Sequence, residues 1–270
     1  MFGLSVLAGV VGNAVFWAGF LAIAWTLLVH WRRRSIIPFF GIKGSRRLVV
    51  YLSNIQVAQG GSLTIEGSAG MYSGTAVALS EASVADRIRE QFRYPLPRQV
   101  DRPGILSKLL VADVKVDVTA APPTQKMLDS RDPFIALGSW WYSWASRYVE
   151  ADLPSRAGFQ SDGKARIVIE GEDDVSGDHY AYIQRVYDVP RKRFVFQAAG
   201  LTELATVGAG YYLATRWQRM YDRYGGRCPF LLVLRIGPDR PERWSVEHEW
   251  IGDPVAIDDE APRGDSYART

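Results

Sequence analysis

The chain has 270 residues, of which 47% are apolar and 12% aromatic; this excludes a disordered tether and supplies apolar surface for a well-packed domain. The net charge of +3 is unevenly placed: six Lys/Arg and no acid fall within residues 30–47, leaving 26 basic against 29 acidic residues, net −3, in residues 48–270. A slightly acidic main body does not suit duplex nucleic acid, and the lone cysteine, Cys228, excludes an intramolecular disulfide framework and fits a reducing compartment.

Residues 4–29 carry no charge and lead directly into His30, Trp31, Arg32, Arg33 and Arg34. As a helix this run measures roughly 39 Å at ~1.5 Å per residue, against a hydrocarbon core of about 30 Å. Ala22, Ile23 and Ala24 look like a signal-peptide cleavage site, but such peptides carry basic residues before the apolar run, and residues 1–3 have none. A retained single-pass transmembrane anchor over residues 1–34 is therefore expected. Arg32, Arg33, Arg34, Lys43, Arg46 and Arg47 follow it, which places the N-terminus outside and the C-terminal bulk in the cytoplasm, at an inner (plasma) membrane. This collar would meet anionic lipid headgroups, and Trp25 and Trp31 fit an interfacial belt. Asn13 is costly inside a bilayer unless it bonds to a neighbour. Ala8 with Gly12, and Ala18 with Ala22, are small residues spaced for close helix approach, so a homo-oligomer is expected.

Pro38, Gly41 and Gly44 make residues 35–45 read as a linker, and residues 46–252 read as one α/β domain. Residues 48–52 form an apolar run typical of a strand buried on both faces. A glycine-rich passage, 60–74, precedes a helix over 80–92, where Val84, Ile88 and Phe92 have helical spacing. Pro95, Pro97 and Pro103 break the chain, and 109–118 alternates as a strand. Residues 133–139 read as a short buried strand ending at Gly138 and Ser139, and 140–151 as a helix carrying Trp140 and Trp144 one turn apart. Strands are expected at 165–170 and 180–186, around an acidic turn at 170–174, and at 193–200. A helix over 201–223, a strand over 230–236 and a flexible tail over 253–270 complete the chain. The pattern predicts an α/β fold, a Rossmann-like mainly parallel sheet flanked by helices, preceded by one transmembrane helix.

In such sheets ligands bind outside the carboxyl ends of the strands. Three segments fall on that edge: Tyr72, Ser73 and Gly74; Gly138 and Ser139; and Gly200, Leu201 and Thr202, with Thr206 one turn on. Each could offer backbone N–H groups and a helix N-terminus to a phosphate, which makes a nucleotide the expected ligand. No Walker A or dinucleotide fingerprint occurs, no His/Cys cluster has metal spacing, and no cofactor is expected. The carboxylates to consider for catalysis are Glu81 and Glu150. One of them, buried beside a nucleotide, could stabilise the cationic transition state of N-glycosidic cleavage. Trp140, Trp141 and Trp144 could stack on a base but read rather as packing or interface residues.

An apolar N-terminal run at 4–29, the collar Arg32, Arg33 and Arg34, the strand at 134–139 and the unit at 194–210 together resemble the membrane effectors of prokaryotic cyclic-nucleotide immunity, the Pycsar transmembrane and membrane–CARF types. The resemblance covers the architecture of the whole chain and no diagnostic motif. It implies a non-enzymatic sensor for a nucleotide second messenger, a cyclic nucleotide, whose binding drives transmembrane helices to assemble and disrupt the bilayer in antiphage defence. Two other readings are left open by the residues: a membrane-anchored enzyme that cleaves the N-glycosidic bond of a nucleotide or NAD, and an envelope scaffold with a degenerate Rossmann-like domain.

Overall fold

A computed structural model describes residues 2–42, 47–53, 79–93, 114–120, 124–139, 141–161 and 164–256; within the first helix, side chains are described at 13–27 and 35–39. The predicted glycine-rich passage, the first part of the strand at 109–118 and residues 257–270 of the tail lie outside these residues.

Ten strands are described: β1 Arg47–Tyr51, β2 Lys115–Thr119, β3 Phe134–Leu137, β4 Ala157–Ser161, β5 Ala165–Ile169, β6 Val175–Ser176, β7 Tyr180–Asp188, β8 Arg193–Gly200, β9 Phe230–Gly237 and β10 Arg240–Ile251. The helices are α1 Phe2–Phe39, α2 Leu79–Arg93, α3 Gln125–Leu128, α4 Trp144–Asp152 and α5 Glu203–Tyr224.

Seven strands form one sheet in the order β10-β9-β7-β8-β3-β1-β2. The ladders joining β2, β1, β3 and β8 are parallel, and those joining β8, β7, β9 and β10 are antiparallel. Five of the seven strands thus run in one direction, as a mainly parallel α/β sheet requires, but half of it is built from hairpins. The reason lies in the chain: only residues 189–192 separate β7 from β8, too few for the crossover that a parallel pair needs.

Both faces of the sheet are covered, which explains why β7 and β8 are buried along nearly their whole length. One face packs Leu48, Val50, Ile135, Phe196 and Leu232 against α2, α5 and the end of α1. The other packs Val49, Phe134, Ala136 and Val195 against Ala145 and Val149 of α4. Beside α4, a small antiparallel sheet (β4-β5-β6) covers Tyr182, Ala199, Leu231 and Val233 through Phe159, Ile167 and Ile169.

The expected linker is not an unstructured connector. Helix α1 continues through Pro38, in its last turn, to Phe39, and Ile36, Phe39, Phe40 and Ile42 are buried in the main core. Proline there forfeits one hydrogen bond near the helix end, where apolar burial of about 1.5–3 kcal/mol per large side chain outweighs the loss. Farther out, α1 exposes Val15, Phe16, Trp17, Phe20, Leu21, Ile23 and Leu27 on all sides. Among the described residues no helix is long and apolar enough to cross a membrane; the uncharged run at 4–29 extends past the described side chains of α1 at both ends.

Candidate functional site at the carboxyl edge

The chain leaves β1 through α2 to reach β2 on one side, then returns through α3 to β3 on the other side of β1. The connections from β1 and β3 diverge, and that is where an α/β sheet opens a crevice beyond its carboxyl ends. Ser53 follows β1 there, and Gly138 follows β3.

Glu81, in the first turn of α2, is only 5% exposed and reaches into this corner. Its Oε2 accepts from the Ser53 backbone N–H at 2.7 Å, and its Oε1 accepts from the Ser53 hydroxyl at 2.8 Å. Gly138 is required beside them. Its φ is +89°, and a Cβ there would stand 1.9 Å from Ser53 Oγ and 3.0 Å from Glu81 Oε1. Burial pushes the Glu81 carboxyl above the ordinary glutamate value; the two Ser53 bonds oppose that, and the charge of Glu203 adds to it.

Glu203 opens α5 and accepts a hydrogen bond from the Ser80 hydroxyl, which ties the starts of α2 and α5 together. The third predicted segment sits alongside. Thr202 caps α5 by accepting from Ala205 N–H at 3.2 Å, and its hydroxyl donates to the Asp178 carbonyl at 2.8 Å. Gly200 lies so close to α5 that a Cβ would stand 2.5 Å from Ala205.

The backbone donors expected to cradle a phosphate have partners within the fold. Gly138 N–H donates to the Ala198 carbonyl at 3.1 Å and Leu201 N–H to the Tyr180 carbonyl at 3.0 Å. Gly200 N–H donates to the Thr206 hydroxyl at 3.0 Å, and Thr206 N–H to the Thr202 carbonyl at 2.9 Å. The positions that favour an anion at the starts of α2 and α5 already hold Glu81 and Glu203. Among the described residues, what this corner presents is carboxylate and hydroxyl oxygen.

Glu150 stands elsewhere. It lies on α4, across the sheet, and accepts from Gln197 Nε2 at 2.6 Å, Tyr182 OH at 2.9 Å and Phe159 N–H at 3.0 Å. Gln197 in turn accepts from Gln184 at 2.7 Å. Burial raises the Glu150 carboxyl, and the three donors oppose the rise. The network staples β4 to the main sheet and shares nothing with the Glu81 corner.

Of the sequence-predicted residues, the structure brings Glu81 and Gly138 into contact and sets Ser139, Gly200, Leu201, Thr202 and Thr206 along the same edge; Tyr72, Ser73 and Gly74 lie outside the described residues. Sequence reasoning missed Ser53, although it stands where β1 meets the edge; Glu203 fell at the end of the third segment, where its carboxylate was assigned no role. Helix α4 starts at Trp144, behind its cap Ser143, and residue 140 of the expected pair lies outside the described residues. Trp141 and Trp144 stay exposed, with Arg147 lying over the Trp144 ring at 4.7 Å. Among the described residues no group of His, Cys, Asp and Glu could hold a metal. No family model, curated protein or solved structure matches this chain.

Proposed function

We propose that the chain is a single-pass membrane sensor whose cytoplasmic α/β domain binds a nucleotide signal at the β1/β3 crevice and transmits binding to α1. The observation that carries this reading is a path. Helices α2 and α5 both begin at the crevice, with Glu81 and Glu203, and both pack at their far ends around the root of α1. Phe40 meets Phe92 of α2 at 5.3 Å, and Phe39 meets Trp217 of α5 at 6.3 Å between ring centroids. A helix that is apolar on every side, like the outer part of α1, is stable when buried in a core or a bilayer. The collar at 32–34 sets the orientation, with the N-terminus outside.

The paired backbone donors refine the ligand. Carboxylates at the helix starts favour the hydroxyls of a ribose or the amine of a base, and keep phosphate charge away from this corner. A shift in α1 would then favour assembly of the helices and disruption of the bilayer, provided the ligand binds the assembled state more tightly.

A second reading is favoured by Glu81 itself. A buried carboxylate with a raised pKa, held by Ser53 and adjacent to a second carboxylate, suits an enzyme acting on an N-glycosidic bond. The test is a thermal-shift series on the full chain in lipid nanodiscs with NAD, mononucleotides and cyclic mono-, di- and oligonucleotides. At about 100 times its dissociation constant a ligand adds about 2.7 kcal/mol. A shift with one cyclic nucleotide that is recovered intact supports the sensor; release of a free base, abolished by Glu81→Gln, supports the enzyme. No shift with any of them overturns both.

A further inference from the structure

Arg185 lies on β7, facing α5, and is fully buried. Its Nη1 donates to the carbonyl of Phe39 at 3.1 Å, its Nη2 to the carbonyl of Gly225 at 2.9 Å, and its Nε to the carbonyl of Cys228 at 2.9 Å, which Nη2 also meets. Phe39 is the last residue of α1, and Gly225 caps α5. The rings of Phe39, Phe194, Phe196 and Phe230 surround the guanidinium, with centroids 4.9–5.9 Å away.

A buried cation normally costs several kcal/mol unless an anion answers it. Among the described residues no carboxylate meets this one. The carboxyl ends of two helices, each with the equivalent of about half a negative charge, take that place together with the ring faces. Such an arrangement holds only while both helix ends stay where they are.

We propose that Arg185 is a buried joint that fixes α1 to the α/β domain as a single rigid lever. Movement at the crevice then reaches the outer part of α1 as a tilt or rotation of the whole helix, and not through a loose tether. Ile36, Phe40 and Ile42 surround the joint in the same core. The two helices that run from the crevice are also tightly coupled: Val84 of α2 packs so close to Gly210 of α5 that a Cβ at Gly210 would stand 2.5 Å from it. The signalling consequence rests on the proposed sensor, but the joint itself does not, so the two can fail separately.

The test is a spin-label distance measurement on the full chain in lipid nanodiscs without ligand. Labels are placed at the exposed positions of Leu21→Cys on α1 and Asp222→Cys on α5, in a Cys228→Ser background, which keeps the residue 228 carbonyl that accepts from Arg185. The reference is the same chain with a short Gly-Ser insertion after Arg34, which makes a tether by design. The expected result is a single distance distribution about half as wide as the reference or narrower. A distribution as broad as the reference overturns the rigid lever. Arg185→Met, which keeps the bulk and removes the donors, is expected to broaden the distribution while near-ultraviolet circular dichroism shows an intact domain; an unchanged width in a folded variant removes Arg185 from the joint. Should that variant not fold, the comparison of parent and insertion still decides.

Discussion

Glu81 accepts both hydrogen bonds that Ser53 can donate, one from the backbone and one from the hydroxyl, and so closes the end of β1 onto the start of α2. A carboxylate held this way, 5% exposed and next to the charge of Glu203, is stored at a cost.

That cost sets a pH dependence. The folded-state pKa of Glu81 lies above the unfolded value near 4.5, so the folded state holds its proton longer. Its contribution is therefore fully present below the unfolded pKa and is lost as pH rises through the folded one, by about 1.4 kcal/mol for each unit of difference. Glu81→Gln is expected to flatten the stability profile above pH 4.5 and to raise the melting temperature at pH 7, while weakening ligand binding. Melting curves from pH 4 to pH 8 on both proteins check this. A steeper profile in the variant is the contrary result.

Gly138→Ala places a methyl where Ser53 Oγ stands and forces an L side chain to φ +89°. Backbone strain and overpacking together are expected to cost about 2–4 kcal/mol. Ser53→Ala in the same chain removes the oxygen and should recover part of that loss, leaving the strain. Denaturant midpoints of the two single variants and the double variant measure the coupling.

Glu150→Ala leaves the donors of Gln197, Tyr182 and Phe159 without their acceptor, at an expected cost of about 3 kcal/mol. Ligand response of the protein that remains folded should be unchanged, in contrast to Glu81→Gln. Equal loss of binding in both variants would place the site on the α4 face of the sheet.

Phe39→Ala empties a fully buried ring site among Phe196, Trp217 and Phe230 and is expected to cost about 3–5 kcal/mol. Likewise, a chain beginning at residue 35 should melt close to the full protein, and one beginning at residue 44 well below it, because the second lacks Ile36, Phe39, Phe40 and Ile42. Scanning calorimetry of the two truncated chains decides whether α1 ends inside the domain.

Much of the interior was legible in the sequence because it is buried on both faces. The apolar runs at 48–52, 193–200 and 230–236 coincide with β1, β8 and β9 within a residue, and Val84, Ile88 and Phe92 do face the core from α2. Strand β10 was not legible. It carries Arg240, Glu242, Arg243, Glu247 and Glu249 and buries only part of one side, so the alternation of Trp244, Val246 and Trp250 is diluted by charge and no apolar run marks it. The root of α1 was missed for a different reason: Pro38 and Gly41 are local breakers, and a core formed by segments distant in sequence overrode them. At the site, the sequence located the edge but not its chemistry. Whether a backbone N–H at Gly138 or Gly200 faces a ligand or a neighbouring strand depends on tertiary pairing, and the Ala198 carbonyl and the Thr206 hydroxyl claim them.

Among the described residues β10 has one side without a strand partner, which carries a consequence if the chain is held at a membrane as proposed. Confinement to a bilayer raises the local concentration of neighbouring domains, and a long flat strand at a sheet margin would invite them to join into a continuous ribbon. Along β10 the register slips twice, between Arg240 and Trp244 and between Val246 and His248, and charges of both signs follow one another. Such a margin is too bent and too hydrated to template a second copy. In the proposed sensor, crowded copies would then meet through α1 and not through β-sheet that would be slow to come apart.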